Sequence, residues 1–127
     1  MLEHVTKFYA RDRAAWRKWL IKNHDKEQSV WLVYDKKVAG KNRLLTYDDM
    51  VEEAICFGWI DSLMRSLSDI QAMQHYSKRK PKGEWSKLNK SRIEKLTKAK
   101  LMRPAGFAAI SIAKENGSSK NNYLRNH

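Results

Sequence analysis

The sequence predicts a single α+β domain in which a small antiparallel sheet of about three strands is packed by about four helices. Residues 29–35, SVWLVYD, are β-branched and aromatic and predict a strand. Segments with apolar residues at helical spacing precede and follow that strand. A chain of 127 residues with 42% hydrophobic residues and five tryptophans is long enough for one core, so residues 1–117 are predicted to form one domain.

The first helix is predicted over residues 8–23, with Asp12 as its N-cap. The apolar residues that recur at helical spacing are predicted to be buried: Ala15, Trp16, Trp19 and Leu20. The basic residues between them are predicted to face solvent: Arg11, Arg13, Arg17 and Lys18. In the strand that follows, the alternating residues form two apolar sets: Val30, Leu32 and Tyr34, and Trp31 and Val33. A strand that is apolar on both faces is predicted to be central in its sheet.

The segment 46–58 predicts a helix with well-marked ends. Thr46 is its predicted N-cap, and Asp49, three positions later, takes the place of the usual Glu of a capping box. Gly58 is placed to end the helix in a left-handed conformation. After it, residues 59–66 and 70–78 predict a hairpin that turns at 67–69.

Two more helices are predicted in the second half of the chain. Ser86 caps the first, which runs to about residue 100, and Pro104 begins the second, which runs to about residue 115. The sequence Asn116-Gly117 ends the last helix, and residues 118–127 are predicted to fray because they have little to bury.

Two polar residues, Asn89 and Arg92, fall on the apolar side of the predicted helix at 86–100. The lysines predicted to face solvent from the other side are Lys87, Lys90 and Lys98. A buried amide or guanidinium is costly without a partner, and Glu53 and Asp61 are the predicted partners. Two interpretations stay open for this cluster, a structural polar clamp and a partly exposed ligand site.

The net charge of +12 is unevenly distributed. Residues 78–103 contain 11 basic and 2 acidic residues, whereas residues 46–61 contain 5 acidic and no basic ones. The basic segment surrounds a Pro-Gly break before a helix N-terminus, a place that favours anions. The residues predicted to contact an anionic ligand or nucleic acid there are Lys78, Arg79, Lys80, Trp85, Ser86, Asn89 and Arg92. The alternative is a charged surface that only contacts water.

Several classes of protein are disfavoured. The sequence lacks the named catalytic and nucleotide-binding signatures, and no cofactor is predicted. The four histidines lack metal-ligand spacing, and a single cysteine excludes an internal disulfide and a cysteine-based zinc cluster. Cys56 is predicted to be a small buried residue and His75 a surface residue. No apolar run is long enough for a membrane span and no signal peptide is evident, so a cytosolic protein is expected.

Four sequence blocks extend over about residues 8 to 117. They are Val30-Trp31-Leu32 with Lys36-Lys37, LTYDDMVEEAICFGWIDS, KRKPKGEWSKLN with Arg92 and Leu96, and MRPAGFAAI with Ala113-Lys114. In this order they resemble the YdeI/OmpD-associated family, also called the bacteriocin-protection family. The combination of CFGWID with RxPKxxWSKxN is the specific part of the resemblance. The hairpin DSLMRSLSDIQAMQHYSKRKP departs from the family pattern, in which a glycine and more arginines follow the Asp.

The resemblance implies a role in bacteriocin protection or envelope association, and the family has no established enzymatic activity or cofactor. Carried over by position, the motif residues that could contact a ligand are Asp61, Arg65, Arg79, Ser86 and Asn89. Those that resemble backbone requirements are Gly58, Pro81, Pro104 and Gly106.

Three functions are compatible with these features. The first is a non-enzymatic cytosolic binding module with an anion-accepting basic surface near residues 78–89, whose partner is a small anion or a protein. The second is nucleic-acid binding through residues 78–92. The third is a small enzyme that uses Asp61 with Arg65, Asn89 or His75.

Overall fold

The computed structural model describes residues 5–37, 44–80 and 87–115, with only the backbone of residues 87, 88, 114 and 115. In these ranges the chain forms a mixed four-stranded sheet and four helices, so the predicted α+β class is confirmed. The strands are β1 (Lys7–Tyr9), β2 (Ser29–Asp35), β3 (Trp59–Ser66) and β4 (Gln71–Lys78). The helices are α1 (Arg13–Asn23), α2 (Tyr47–Cys56), α3 (Lys87–Lys98) and α4 (Pro104–Glu115). Within the described ranges, no helix has both the length and the apolar character that a membrane span requires.

The sheet has the strand order β1-β2-β4-β3 and differs from the predicted antiparallel sheet at one edge. There β1 pairs parallel with β2, whereas the other two pairings are antiparallel. The first helix is accordingly shorter than predicted and begins at Arg13, where the Asp12 carboxylate accepts a hydrogen bond from Ala15 N at 2.9 Å. A three-residue strand is too short to show an alternating pattern, so only its pairing with β2 reveals it.

β2 lies between β1 and β4, which confirms the predicted central strand. The residues that it contributes to the main core are Val30, Leu32 and Tyr34, and all four helices pack against that cluster. On the other face of the sheet, Trp31 and Val33 pack with Met73. The two apolar sets of the sequence are therefore the two faces of one strand.

α2 begins with the predicted capping box. The Thr46 hydroxyl accepts a hydrogen bond from Asp49 N at 3.1 Å, and Asp49 Oδ2 accepts one from Thr46 N at 3.2 Å. Gly58 follows the helix with a φ of 77°, the left-handed conformation that glycine adopts without strain. The predicted hairpin is confirmed as β3 and β4, with a bulge between Asp61 and Met64 that the sequence pattern does not show.

The last two helices occur where the sequence predicts them, and α4 begins at Pro104. The prediction that Lys90 faces solvent is wrong, since Lys90 is 2% exposed, whereas Lys98 is exposed. The burial of Lys90 shows that the side of α3 opposite its apolar arc is also covered at this position, which apolar periodicity alone does not predict. The predicted Ser86 cap, the end at Asn116-Gly117 and the frayed tail at 118–127 lie outside the described residues.

Candidate functional site

A cleft of about 270 Å³ lies at the end of the sheet where β2 and β3 begin and β4 ends. It is lined by the end of α1, the junction between α2 and β3, the end of β4 and one side of α4. The basic segment at residues 78–80 is therefore placed beside apolar residues that are distant in the sequence.

The floor of the cleft is apolar and consists of Phe57, Trp59, Ala105, Ala108, Ala109 and Ile112. Two glycines allow α4 to lie close to the end of α2. A Cβ at Gly58 would lie 2.8 Å from the carbonyl oxygen of Ala105, and one at Gly106 would lie 2.5 Å from that of Cys56. Since real Cβ atoms do not come so close to backbone atoms, both positions require glycine.

The rim of the cleft is basic and contains three consecutive residues, Lys78, Arg79 and Lys80. Lys80 is exposed, and the other two are half-buried. Burial lowers the pKa of Arg79 to about 10, and the attraction of Asp61 offsets only part of that effect. The guanidinium thus stays charged at neutral pH in a partly desolvated place, where an anion would interact with it more strongly than at an exposed site.

The indole of Trp59 lines the same cleft, is fully buried and packs edge-on against Trp19, with ring centroids 5.8 Å apart. Its N–H has no hydrogen-bond acceptor among the described residues, whereas the Trp16 N–H donates to Met50 O at 3.0 Å. A buried donor without an acceptor costs about 1–3 kcal/mol, so a polar atom brought into the cleft could satisfy it.

In the polar cluster of α3, Arg92 does not bind the predicted partners Glu53 and Asp61. Arg92 is 8% exposed and donates to Asp48 Oδ1 at 2.5 Å and to Asn89 Oδ1 at 3.0 Å. The predicted partnership with Asp61 is wrong, because Asp61 instead accepts a hydrogen bond from the Tyr47 hydroxyl at 2.7 Å. These contacts join α3 to the start of α2, as a structural clamp would.

Glu53, the other predicted partner, belongs to an ion-pair network between α1 and α2. Arg13 Nε lies 2.5 Å from Glu53 Oε2, and Arg17 Nη1 lies 2.7 Å from Glu53 Oε1. Arg13 also contacts Glu52 and Asp49, each at 3.1 Å. The prediction that Arg13 and Arg17 face solvent is therefore wrong. The sequence pattern shows that these residues are polar, but only the packing of the helices shows that they meet acidic residues.

The sheet divides the residues of the predicted enzyme site into two groups. Asp61 and Asn89 lie on the helical side of the sheet in the contacts described above. On the opposite face, the Arg65 guanidinium lies 5.2 Å from the centroid of the Trp31 ring. His75 packs against the same tryptophan, with ring centroids 5.2 Å apart. The sheet thus separates the carboxylate from the histidine that was expected to act with it.

His75 is 7% exposed, so the prediction of a surface residue is wrong. Its Nδ1 lies 2.8 Å from Ser62 Oγ, and its Nε2 has no hydrogen-bond partner among the described residues. Burial lowers the pKa of the imidazole below its ordinary value of 6.5. The alternating sequence pattern predicts the strand that carries His75. It does not predict that Trp31 packs against His75 and covers it.

We expect the free energy of unfolding to fall as the pH falls below about 6.5, because the unfolded chain binds a proton at His75 that the folded chain resists. His75→Gln removes this contribution and should flatten the pH profile in that range. Urea unfolding between about pH 8 and 5.5 measures the effect. Ser111→Ala, which changes no titratable group at an exposed position, is the control and should keep the wild-type slope. An unchanged slope in His75→Gln would contradict the assignment.

The remaining sequence predictions concern Trp85, Ser86, Cys56 and metal binding. Trp85 and Ser86 lie outside the described residues. Cys56 is fully buried, as predicted, and burial raises the pKa of its thiol to about 11, which makes it a poor nucleophile. In the described part of the chain, no group of three or more His, Cys, Asp or Glu residues could hold a metal ion.

A family model described as a domain of unknown function, DUF8412, matches residues 8–109. The chain belongs to this family. The comparisons with curated proteins and with solved structures gave no match. The range that matches the DUF8412 model includes the basic rim and the described floor of the cleft as far as Ala109.

The sequence pattern of this DUF8412 chain identifies the rim of the cleft but not its floor. Phe57 and the alanines of α4 resemble ordinary core residues in the sequence. The run of small residues in PAGFAA is a signal that could indicate a helix with a closely approached face. It does not indicate that the exposed side of that helix meets residues 78–80, since this depends on how α4 packs against the end of α2.

Proposed function

We propose that this DUF8412 protein is a non-enzymatic binding module that accepts an anionic ligand at the cleft beside Lys78, Arg79 and Lys80. The observation that carries the proposal is the juxtaposition of this basic rim, with its partly desolvated guanidinium, and an apolar floor. Binding sites for small ligands typically combine apolar walls with a few polar groups that orient the ligand.

The contacts of the basic segment favour a confined ligand over nucleic acid. Within the predicted surface at 78–92, Lys90 and Arg92 are buried, and Arg92 pairs with Asp48. Proteins that follow a nucleic-acid backbone rely on grooves of accessible cations and on stacking aromatic residues. Nucleic-acid binding is therefore an outcome of the test below. A role in bacteriocin protection, implied by the YdeI/OmpD-associated resemblance, stays a prediction.

Lys80→Gln is expected to weaken anion binding about three- to tenfold, because it removes an exposed cation from the rim. The probes are inorganic phosphate, benzoate and short DNA and RNA, each titrated against the full chain by tryptophan fluorescence. The matched control is Lys37→Gln, which removes the same charge from an exposed position beyond the opposite end of β2. This variant should bind like the wild type.

Equal losses in the two variants would show that net charge rather than the cleft attracts the anion, and no binding of any probe would overturn the proposal. Binding of oligonucleotides alone, with a loss of orders of magnitude between about 50 and 200 mM salt, would establish nucleic-acid binding in its place.

A further inference from the structure

The volume of the cleft indicates how large a part of a ligand it encloses. Its volume of about 270 Å³ corresponds to the liquid volume of about nine water molecules, and a ligand of on the order of ten non-hydrogen atoms would occupy it. A nucleotide would extend out of the cleft, and a single hydrated phosphate would leave most of the floor in contact with water.

The accessible part of the apolar floor favours an apolar partner. Phe57 and Trp59 are almost fully buried, so this accessible surface belongs to α4, where Ala108 is exposed and Ile112 is 40% exposed. Apolar surface that stays in contact with water is unfavourable, and a ligand with a ring or a branched chain would remove that surface from water. An anion without such a body would gain nothing from the floor.

The polar groups of the cleft favour a single negative group at one end of the ligand. The cations of the rim, Lys78, Arg79 and Lys80, lie together on one side of the cleft and would attract a carboxylate there. The exposed carboxylate of Asp25 also lines the cleft and would repel a second negative charge placed near it. A ligand with its negative group at one end fits this arrangement better than one with a negative group at each end.

We infer that the ligand of the cleft is a small organic monocarboxylate with an apolar body, whose carboxylate binds at the basic rim and whose body lies on the exposed apolar residues of α4 that line the cleft. The inference rests on the proposed anion-binding function and specifies its ligand class. Benzoate is a suitable probe because it combines one carboxylate with one ring.

The first test compares probes that each lack one part of this ligand. Calorimetric titration of the full chain should show that benzoate binds at least about tenfold more tightly than acetate, which lacks the ring, and than benzyl alcohol, which lacks the charge. Inorganic phosphate should also bind more weakly than benzoate. Equal affinity for benzoate and acetate would overturn the inference, since the floor would then contribute nothing.

The second test blocks the floor without changing any charge. Ala108→Phe places a ring in the cleft from an exposed position of α4 and should reduce benzoate affinity at least about tenfold. Ser111→Phe adds the same ring at an exposed position of α4 that does not line the cleft, and it should bind benzoate normally. Circular dichroism checks that both variants are folded.

The two proposals fail in different ways. If phosphate binds in a Lys80-dependent manner and Ala108→Phe does not affect any probe, the ligand class is wrong and the anion-binding function stands. If no anion binds to the wild type, both are wrong. Benzoate binding that Ala108→Phe and Ser111→Phe reduce equally would place benzoate outside the cleft and overturn the inference.

Discussion

Gly106→Ala is expected to lower the free energy of unfolding by about 3 kcal/mol, although the same change inside a helix ordinarily raises it by about 1 kcal/mol. The added Cβ would lie 2.5 Å from the carbonyl oxygen of Cys56 and 2.9 Å from its carbonyl carbon. Backbone atoms cannot rotate aside as a side chain can, so α4 would have to move away from the end of α2. That movement would also weaken the hydrogen bond from Arg103 N to Cys56 O, which is 3.0 Å long.

Urea unfolding measured by tryptophan fluorescence tests this prediction, provided that the slope with denaturant is unchanged. Ser111→Ala is the matched control, because it introduces alanine at an exposed position of the same helix. Its effect should stay within about 0.5 kcal/mol. A Gly106→Ala variant as stable as the wild type would show that α4 does not approach α2 at this position.

Glu53→Gln is expected to lower the free energy of unfolding by about 3 kcal/mol, because it leaves two arginines without their shared carboxylate. Glu53 is 1% exposed and contacts both Arg13 and Arg17. The arginine side chains are 30% and 21% exposed, so water relieves part of the loss but not all of it. The effect is the cost of breaking the network, and a well-packed apolar replacement of the whole network could be less costly.

Asp49→Asn is the control within the same network. Asp49 contacts Arg13 at 3.1 Å, but its side chain is 27% exposed, and we expect a loss of about 1 kcal/mol or less. A double-mutant cycle of Glu53→Gln with Arg17→Met should give a coupling energy of about 1–3 kcal/mol. A coupling energy near zero would contradict the ion pair that joins α1 to α2.

Features that depend on neighbouring residues in the chain follow from the sequence. The capping box of Thr46 and Asp49, the left-handed Gly58 and the start of α4 at Pro104 are each decided by groups within a few residues, and all three are confirmed. The limits of β2 and β3 follow from alternation and from the breaks beside them. For the candidate site, the same local signals identify the basic residues 78–80 as a place for an anion.

The choice of partners depends on tertiary structure. The sequence determined that this chain forms an α+β domain, where its helices and long strands lie, and that residues 78–80 are basic. Only the packing of α1 on α2 decided that Glu53 binds Arg13 and Arg17 and is not available to α3, because several acidic residues compete for several arginines at similar distances along the chain. Only the approach of α4 to α2 placed an apolar floor beside the basic rim. Periodicity shows which face of a helix is apolar, but it does not determine which other element covers that face.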